Sequence, residues 1–98
     1  MKFWFSFFLF LNCYVAQVTG LDGWDLFIDP GHSQDENMGI NGYSEAKEVL
    51  QVGLHLMDIF NEQTDIDTVF IARTNNNQSV SLYQRTNYAN TVSASWYH

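Results

Sequence analysis

A histidine and a glutamate at the edge of one predicted sheet have the chemistry to hold a metal ion. His32 follows the apolar run 26–28 and the pair Pro30-Gly31, and Glu45 begins an amphipathic helical pattern. Imidazole and carboxylate are both zinc ligands, and a catalytic zinc site uses three protein ligands with water in the fourth position. The spacing therefore predicts two of the three ligands of a zinc site.

Asp29 precedes the turn that presents His32. Its carboxylate is placed to accept the second ring N–H of His32, as carboxylates do beside metal-bound histidines, and capping of the turn is the equal alternative. Gly31 would supply a positive φ if the turn requires one. Each predicted ligand also has a plainer interpretation, since lone loop histidines are common and the helix dipole favours a glutamate such as Glu45 in a first turn.

Arg73 and Arg85 stand out because basic residues are scarce in this chain. The sequence holds four Lys and Arg against eleven Asp and Glu, for a net charge of −7. Pairing with carboxylates is the simplest role for both arginines. The acidic balance argues against partners such as nucleic acid or anionic lipid.

Strands alternate with helices along the chain. Such alternation implies parallel strands joined by crossovers, hence an α/β fold with a mostly parallel sheet and helices on both faces, a three-layer sandwich. Ligands bind beyond the carboxyl ends of such strands, where His32, Arg73 and the end of the third strand should gather. The apolar patterns predict a strand over 24–29, a helix over 45–63 capped by Ser44, a strand over 68–72, a helix from Val80 to about Thr91, and the start of a third strand over 94–97.

Residues 1–20 have the pattern of a secretory signal peptide. Lys2 precedes the apolar run 3–15, and Val18-Thr19-Gly20 offers small residues for cleavage. An uncleaved anchor and a lipid on Cys13 are the alternatives, but the run is shorter than the ~20 residues of a spanning helix. The sequence predicts export to the periplasm, cell wall or extracellular space, with no stable membrane span after cleavage.

Residues 21–98 are predicted to form part of one domain. Cys13 is the only cysteine, so this part contains none and a disulfide cannot stabilise it. Its length lies near the lower limit for a self-sufficient core. Stability must therefore come from packing, with a metal as the possible addition.

Several motifs in order resemble the zinc-dependent N-acetylmuramoyl-L-alanine amidases of the Amidase_3 type. The resemblance runs from about Asp25 to His98, and Ser33 departs from the glycine that usually follows the first histidine. It is carried by Phe-Ile-Asp-Pro-Gly-His over 27–32, by Gly39, Gly42 and Glu45, by Val-Phe-Ile-Ala-Arg over 69–73, and by Leu-Tyr-Gln-Arg-Thr-Asn-Tyr-Ala-Asn over 82–90.

The resemblance implies hydrolysis of the amide between N-acetylmuramic acid and L-alanine in peptidoglycan, with His32 and Glu45 as ligands of Zn²⁺. It also implies a Ser-x-His segment with the third ligand and, much later, a general-base glutamate. We expect both beyond residue 98, so no catalytic residue is predicted here and His98 is not taken as a ligand. The chain is then the amino-terminal part of an amidase domain, without useful turnover by itself.

Three other interpretations stay open. The chain could belong to a non-catalytic module that binds the cell wall, to a zinc peptidase of related architecture, or to a structural α/β domain with accidental similarity. The first would lack the third histidine or the late glutamate, and the second would release free amino acids.

Overall fold

The computed structural model describes residues 17–34, 36 and 38–98, and within them three strands and two helices form an α/β unit. Residues 1–16, which hold most of the predicted signal peptide and Cys13, lie outside the described residues. The elements in chain order are β1 (Asp25–Ile28), α1 (Glu45–Gln63), β2 (Thr68–Ile71), α2 (Leu82–Thr91) and β3 (Trp96–Tyr97), with a short 3-10 turn at Ile40–Gly42 before α1.

The three strands form one parallel sheet in the order β2-β1-β3. The register pairs Asp25 with Thr68 at one end of β1 and Phe27 with Tyr97 near the other. The predicted α/β class and parallel pairing are confirmed. Because β1 is central, the turn that follows it lies between the ends of both neighbours.

The side chains of β1 and β2 alternate between two apolar faces. Leu26, Ile28 and Val69 form a core cluster on one face, where Leu56 and other apolar residues of α1 pack. On the opposite face Phe27 is fully buried, and its ring lies 5.1 Å from that of Tyr88 in α2. Strand residues point alternately to the two faces. The sheet therefore carries a helix on each face, which explains the unbroken apolar run of β1.

The chain before β1 packs against the carboxyl-terminal end of α1. Val18 bridges Thr64, and the carboxylate of Asp65 accepts hydrogen bonds from the backbone N–H groups of Leu21 (2.8 Å) and Gly20 (3.1 Å). Residues 17–20 of the predicted signal peptide thus contact the folded unit. Among the described residues, the helices are all too short or too polar to span a bilayer.

Candidate metal centre

The turn after β1 presents His32 in an unusual backbone conformation. His32 itself has a positive φ of 56°, whereas Gly31 has none. A Cβ atom added to Gly31 would meet nothing within 4 Å. The expected role of Gly31 in supplying positive φ is therefore wrong, since the left-handed residue is the histidine. Histidine is among the side chains that tolerate this region, at a cost of about 1–3 kcal/mol that the surroundings must offset.

The first turn of α1 holds Glu45. Ser44 caps the helix as predicted, and its hydroxyl accepts from the backbone N–H of Lys47 at 3.2 Å. The cap sets where the helix begins and hence where the Glu45 side chain emerges. Oε1 of Glu45 lies 3.4 Å from Nε2 of His32, with side-chain exposures of 44% and 35%. The two predicted ligands therefore meet, and a small ion or solvent can reach them.

The separation of these two atoms suits zinc. Zinc–nitrogen bonds of about 2.0–2.1 Å and zinc–oxygen bonds of about 2.0–2.2 Å at a tetrahedral angle put the two donor atoms about 3.4 Å apart. The observed distance is 3.4 Å. Within residues 17–34, 36 and 38–98, no three His, Cys, Asp or Glu side chains come together as a metal-binding group. The described residues thus offer two donor atoms at a separation that fits a zinc ion.

The other ring nitrogen of His32 faces a residue that the sequence did not single out. Nδ1 of His32 lies 3.5 Å from Oε2 of Glu36. A carboxylate on that side is placed to accept the Nδ1 proton of a histidine whose Nε2 holds a metal ion. The only sequence signal for Glu36 is its position four residues after His32 in an acidic loop.

Asp29 has partners other than the ring of His32. Its two carboxylate oxygens accept hydrogen bonds from the Arg85 guanidinium and the Tyr97 hydroxyl. Arg85 also donates from Nη2 to the backbone carbonyl of His32 at 3.1 Å. Asp29 is thus tied to the backbone of His32 through Arg85, while its predicted contact with the ring stays a prediction. Burial and the hydrogen bond to Asp29 raise the pKa of Tyr97 to about 12.

The sequence predicts a carboxylate partner for Arg73, but its guanidinium hydrogen-bonds to backbone carbonyls. Its side chain is buried, with 1% of its surface exposed. The guanidinium donates to the backbone carbonyls of Pro30 (3.1 Å), Gly31 (2.8 Å), Ala46 (2.7 Å) and Asn75 (3.3 Å). Burial, with Arg85 nearby, lowers the pKa of Arg73 from its usual value. Arg85 does pair with a carboxylate, that of Asp29, as expected.

An open groove runs beside His32. It has a volume of about 490 Å³ and lies between the turn after β1 and the start of α2. Its walls include His32 and Glu36 on one side and Val80, Ser81 and Leu82 on the other. The groove therefore opens to solvent at the His32 side of the pair.

Comparison with known proteins gives one consistent result. The family model Amidase_3, described as N-acetylmuramoyl-L-alanine amidase, matches residues 26–97. The N-acetylmuramoyl-L-alanine amidase CwlM of Bacillus licheniformis is 38% identical over 73 residues, which cover 74% of this chain and 28% of the relative. The chain thus spans little more than a quarter of that relative's length. No solved structure matches it.

Proposed function

The chain belongs to the N-acetylmuramoyl-L-alanine amidase family of the Amidase_3 type, and we propose that the whole protein is a zinc-dependent amidase of the cell wall. The substrate is peptidoglycan, and the bond cut joins N-acetylmuramic acid to the L-alanine of the stem peptide. The observation that carries this proposal is the pair of donor atoms, Nε2 of His32 and Oε1 of Glu45, held 3.4 Å apart at the carboxyl end of the central strand.

His32 and Glu45 would hold the zinc, and Asp29 would support His32. When bound, zinc supplies Lewis-acid polarisation of a carbonyl and acidifies water. The residues of this chain present the two donors, place the carboxylate of Glu36 beside Nδ1 of His32, and leave an open groove beside His32 for the substrate. A general-base glutamate would come from beyond residue 98 and would take and return the proton of the attacking water.

The register of β3 supports a third ligand from the following residues. The N–H of His98 donates to the carbonyl of Phe27 (2.8 Å), and the carbonyl of His98 accepts from Asp29 (2.6 Å). If this pairing continued, the residue three positions after His98 would lie opposite Gly31. A Ser-x-His segment there would bring its histidine next to His32, as the family resemblance implies.

Peptide release from purified peptidoglycan by the full-length protein tests the proposal. We expect stem peptides with a free alanine amino terminus, loss of release with a chelator, and recovery with added zinc. His32→Ala and Glu45→Gln should each reduce the rate at least about 100-fold, because each removes a ligand. His55→Ala and Glu48→Gln are matched controls on exposed positions of α1 and should keep the wild-type rate.

The outcomes separate this proposal from its rivals. Binding of peptidoglycan without release would indicate a non-catalytic wall-binding module, and release of free amino acids would indicate a peptidase. Full activity in the presence of chelator would contradict the role of zinc. Residues 21–98 alone should release nothing, because they carry two ligands and no general base.

Export follows from this substrate, which lies outside the cytoplasm. We propose that residues 1–20 direct export and are cleaved after Gly20. Amino-terminal sequencing of the exported protein tests this. A first residue at Leu21 is the expected result, and an uncleaved amino terminus in the membrane fraction would contradict it.

A further inference from the structure

We propose that Arg73 is the positioning residue that sets the distance between the two proposed zinc ligands. The inference rests on the proposed function only in naming His32 and Glu45 as ligands. Arg73 touches neither ligand side chain in the hydrogen bonds described above. It acts on the backbone next to each of them.

One nitrogen atom of Arg73 joins the two ligand-bearing segments. Nη2 donates to the carbonyl of Gly31 at 2.8 Å and to the carbonyl of Ala46 at 2.7 Å. The Gly31 carbonyl belongs to the peptide bond that leads into His32, and Ala46 directly follows Glu45. The turn after β1 and the first turn of α1 are separate segments of the chain. A single nitrogen atom therefore holds the backbone beside His32 and the backbone beside Glu45.

The rest of the guanidinium holds that atom in place. Nε donates to the carbonyl of Pro30 at 3.1 Å and Nη1 to that of Asn75 at 3.3 Å. Four directed hydrogen bonds from one rigid plane fix its orientation, which an ammonium on a flexible stem cannot reproduce. The backbone at Arg73 is also anchored, because the N–H of Ala72 donates to Ile28 at 2.9 Å. The sheet thus serves as a rigid base for this contact.

The buried charge needs these carbonyls, because they accept the hydrogen bonds that the guanidinium donates. Its side chain is 1% exposed, and a charged group removed from water must be hydrogen-bonded. Loss of the geometry would therefore cost stability, so stability alone does not distinguish a positioning role from a structural one. A readout at the ligands themselves is required.

The test compares Arg73→Lys with Val69→Ala in the full-length, metal-free protein. Val69 lies in the core cluster on β2, against which Leu56 and Phe60 in the second half of α1 pack, so its truncation should lower the urea midpoint and leave the hydrogen bonds of Arg73 in place. With labelled histidine, nuclear Overhauser contacts between the His32 ring and the Glu45 side chain report the separation. We expect these contacts in wild type and Val69→Ala and their loss in folded Arg73→Lys. The Kd for zinc should rise at least about tenfold in Arg73→Lys alone.

Contacts and zinc affinity of wild-type strength in Arg73→Lys would overturn the proposal. If that variant does not fold, through-hydrogen-bond couplings in the wild type decide instead. Couplings from Arg73 Nη2 to the carbonyls of both Gly31 and Ala46 support the role, and the absence of either contradicts it. A wild-type protein that binds no zinc, or binds it without cleaving peptidoglycan, would contradict the proposed function. The contacts between His32 and Glu45 in the metal-free protein would still test the positioning role of Arg73.

Discussion

The carboxylate of Asp29 balances a charge that the fold has almost removed from water. Asp29 and Arg85 form an ion pair with side-chain exposures of 12% and 5%, and Tyr97 donates to the same carboxylate. Burying two charges costs free energy that the pair repays only with good geometry and further hydrogen bonds. Arg85 obtains these from the carbonyls of Pro30 and His32. The ion pair therefore belongs to the support of the His32 turn.

Asp29→Asn should destabilise the protein strongly. The amide leaves the Arg85 guanidinium without its counter-charge, and breaking a buried pair in this way typically costs about 3–5 kcal/mol. Urea unfolding of the full-length protein measures the change in the free energy of unfolding. Asp58→Asn on the exposed surface of α1 is the matched control, with an expected change within about 0.5 kcal/mol. A loss below about 1 kcal/mol in Asp29→Asn would show that the pair is not needed.

At the scale of single residues, the sequence predicted that His32 and Glu45 come together but not the contacts that support them. Both could be singled out because imidazole and carboxylate have a recognisable chemistry. The contacts of Arg73 could not, since its acceptors are backbone carbonyls, and a carbonyl has no side-chain signature. The positive φ of His32 could not be predicted either, because the adjacent Gly31 is the residue that adopts positive φ more readily.

At the scale of elements, helix α1 approaches the turn after β1 closely at Gly53. A Cβ atom added there would lie 2.8 Å from Cγ of Pro30 and 3.4 Å from Cγ2 of Ile28. The first distance is shorter than side chains tolerate, and the proline ring is stiff. A glycine in mid-helix costs about 1 kcal/mol relative to alanine, so a packing reason for it is required. The helix thus lies close to the turn because position 53 has no side chain.

Gly53→Ala should therefore destabilise the fold although alanine is the better helix former. The overpacking is expected to cost about 1–3 kcal/mol, which outweighs the gain in helix propensity. It should also weaken zinc binding, since α1 carries Glu45. Gln51→Ala is the control on the exposed side of the same helix, with little change in either quantity. An unfolding free energy for Gly53→Ala equal to or above that of the wild type would contradict the close contact.

The element boundaries show what local patterns predict. α1 begins at Glu45 and ends at Gln63 as predicted, because a cap and a long apolar stripe mark it. The predicted strands are each one or two residues longer than the observed ones, although backbone hydrogen bonds between neighbouring strands reach Asp29 and Ala72 at those ends. Leu82 is the first residue of α2 and is 83% exposed. The buried positions of that helix are Arg85 and Ala89, so the helical spacing of these two residues marks its inner face although one of them is charged.

At the scale of the molecule, the start of the described chain is tied to the end of α1 that lies away from the site. A helix of 19 residues is about 28 Å long, so Thr64 and Asp65 lie far from Glu45. The hydrogen bond from the backbone N–H of Leu21, and to a smaller extent that from Gly20, holds the pKa of the Asp65 carboxyl below its usual value. The carboxylate thus links the segment before β1 to the helix that carries the proposed ligand Glu45 at its other end.

This link should make stability depend on pH in the acid range only. A pKa that is lower in the folded than in the unfolded state stabilises the fold above the unfolded value of about 3.9, and that stabilisation is lost as the pH falls through the folded value. In protein that retains Gly20 and the residues before it, Asp65→Asn should therefore be less stable than the wild type at pH 7, and the difference should shrink as the pH falls towards 3. Urea unfolding at several pH values measures it.

Zinc affinity at pH 7 provides the second readout for Asp65→Asn. Because the carboxylate and the proposed site lie at opposite ends of α1, the Kd for zinc should stay at its wild-type value while the protein is folded. A constant stability difference from pH 7 to pH 3 would contradict the Asp65 contact. A changed zinc Kd would show instead that the two ends of α1 are coupled, and that the position of Glu45 depends on more than the Arg73 contact at its own end.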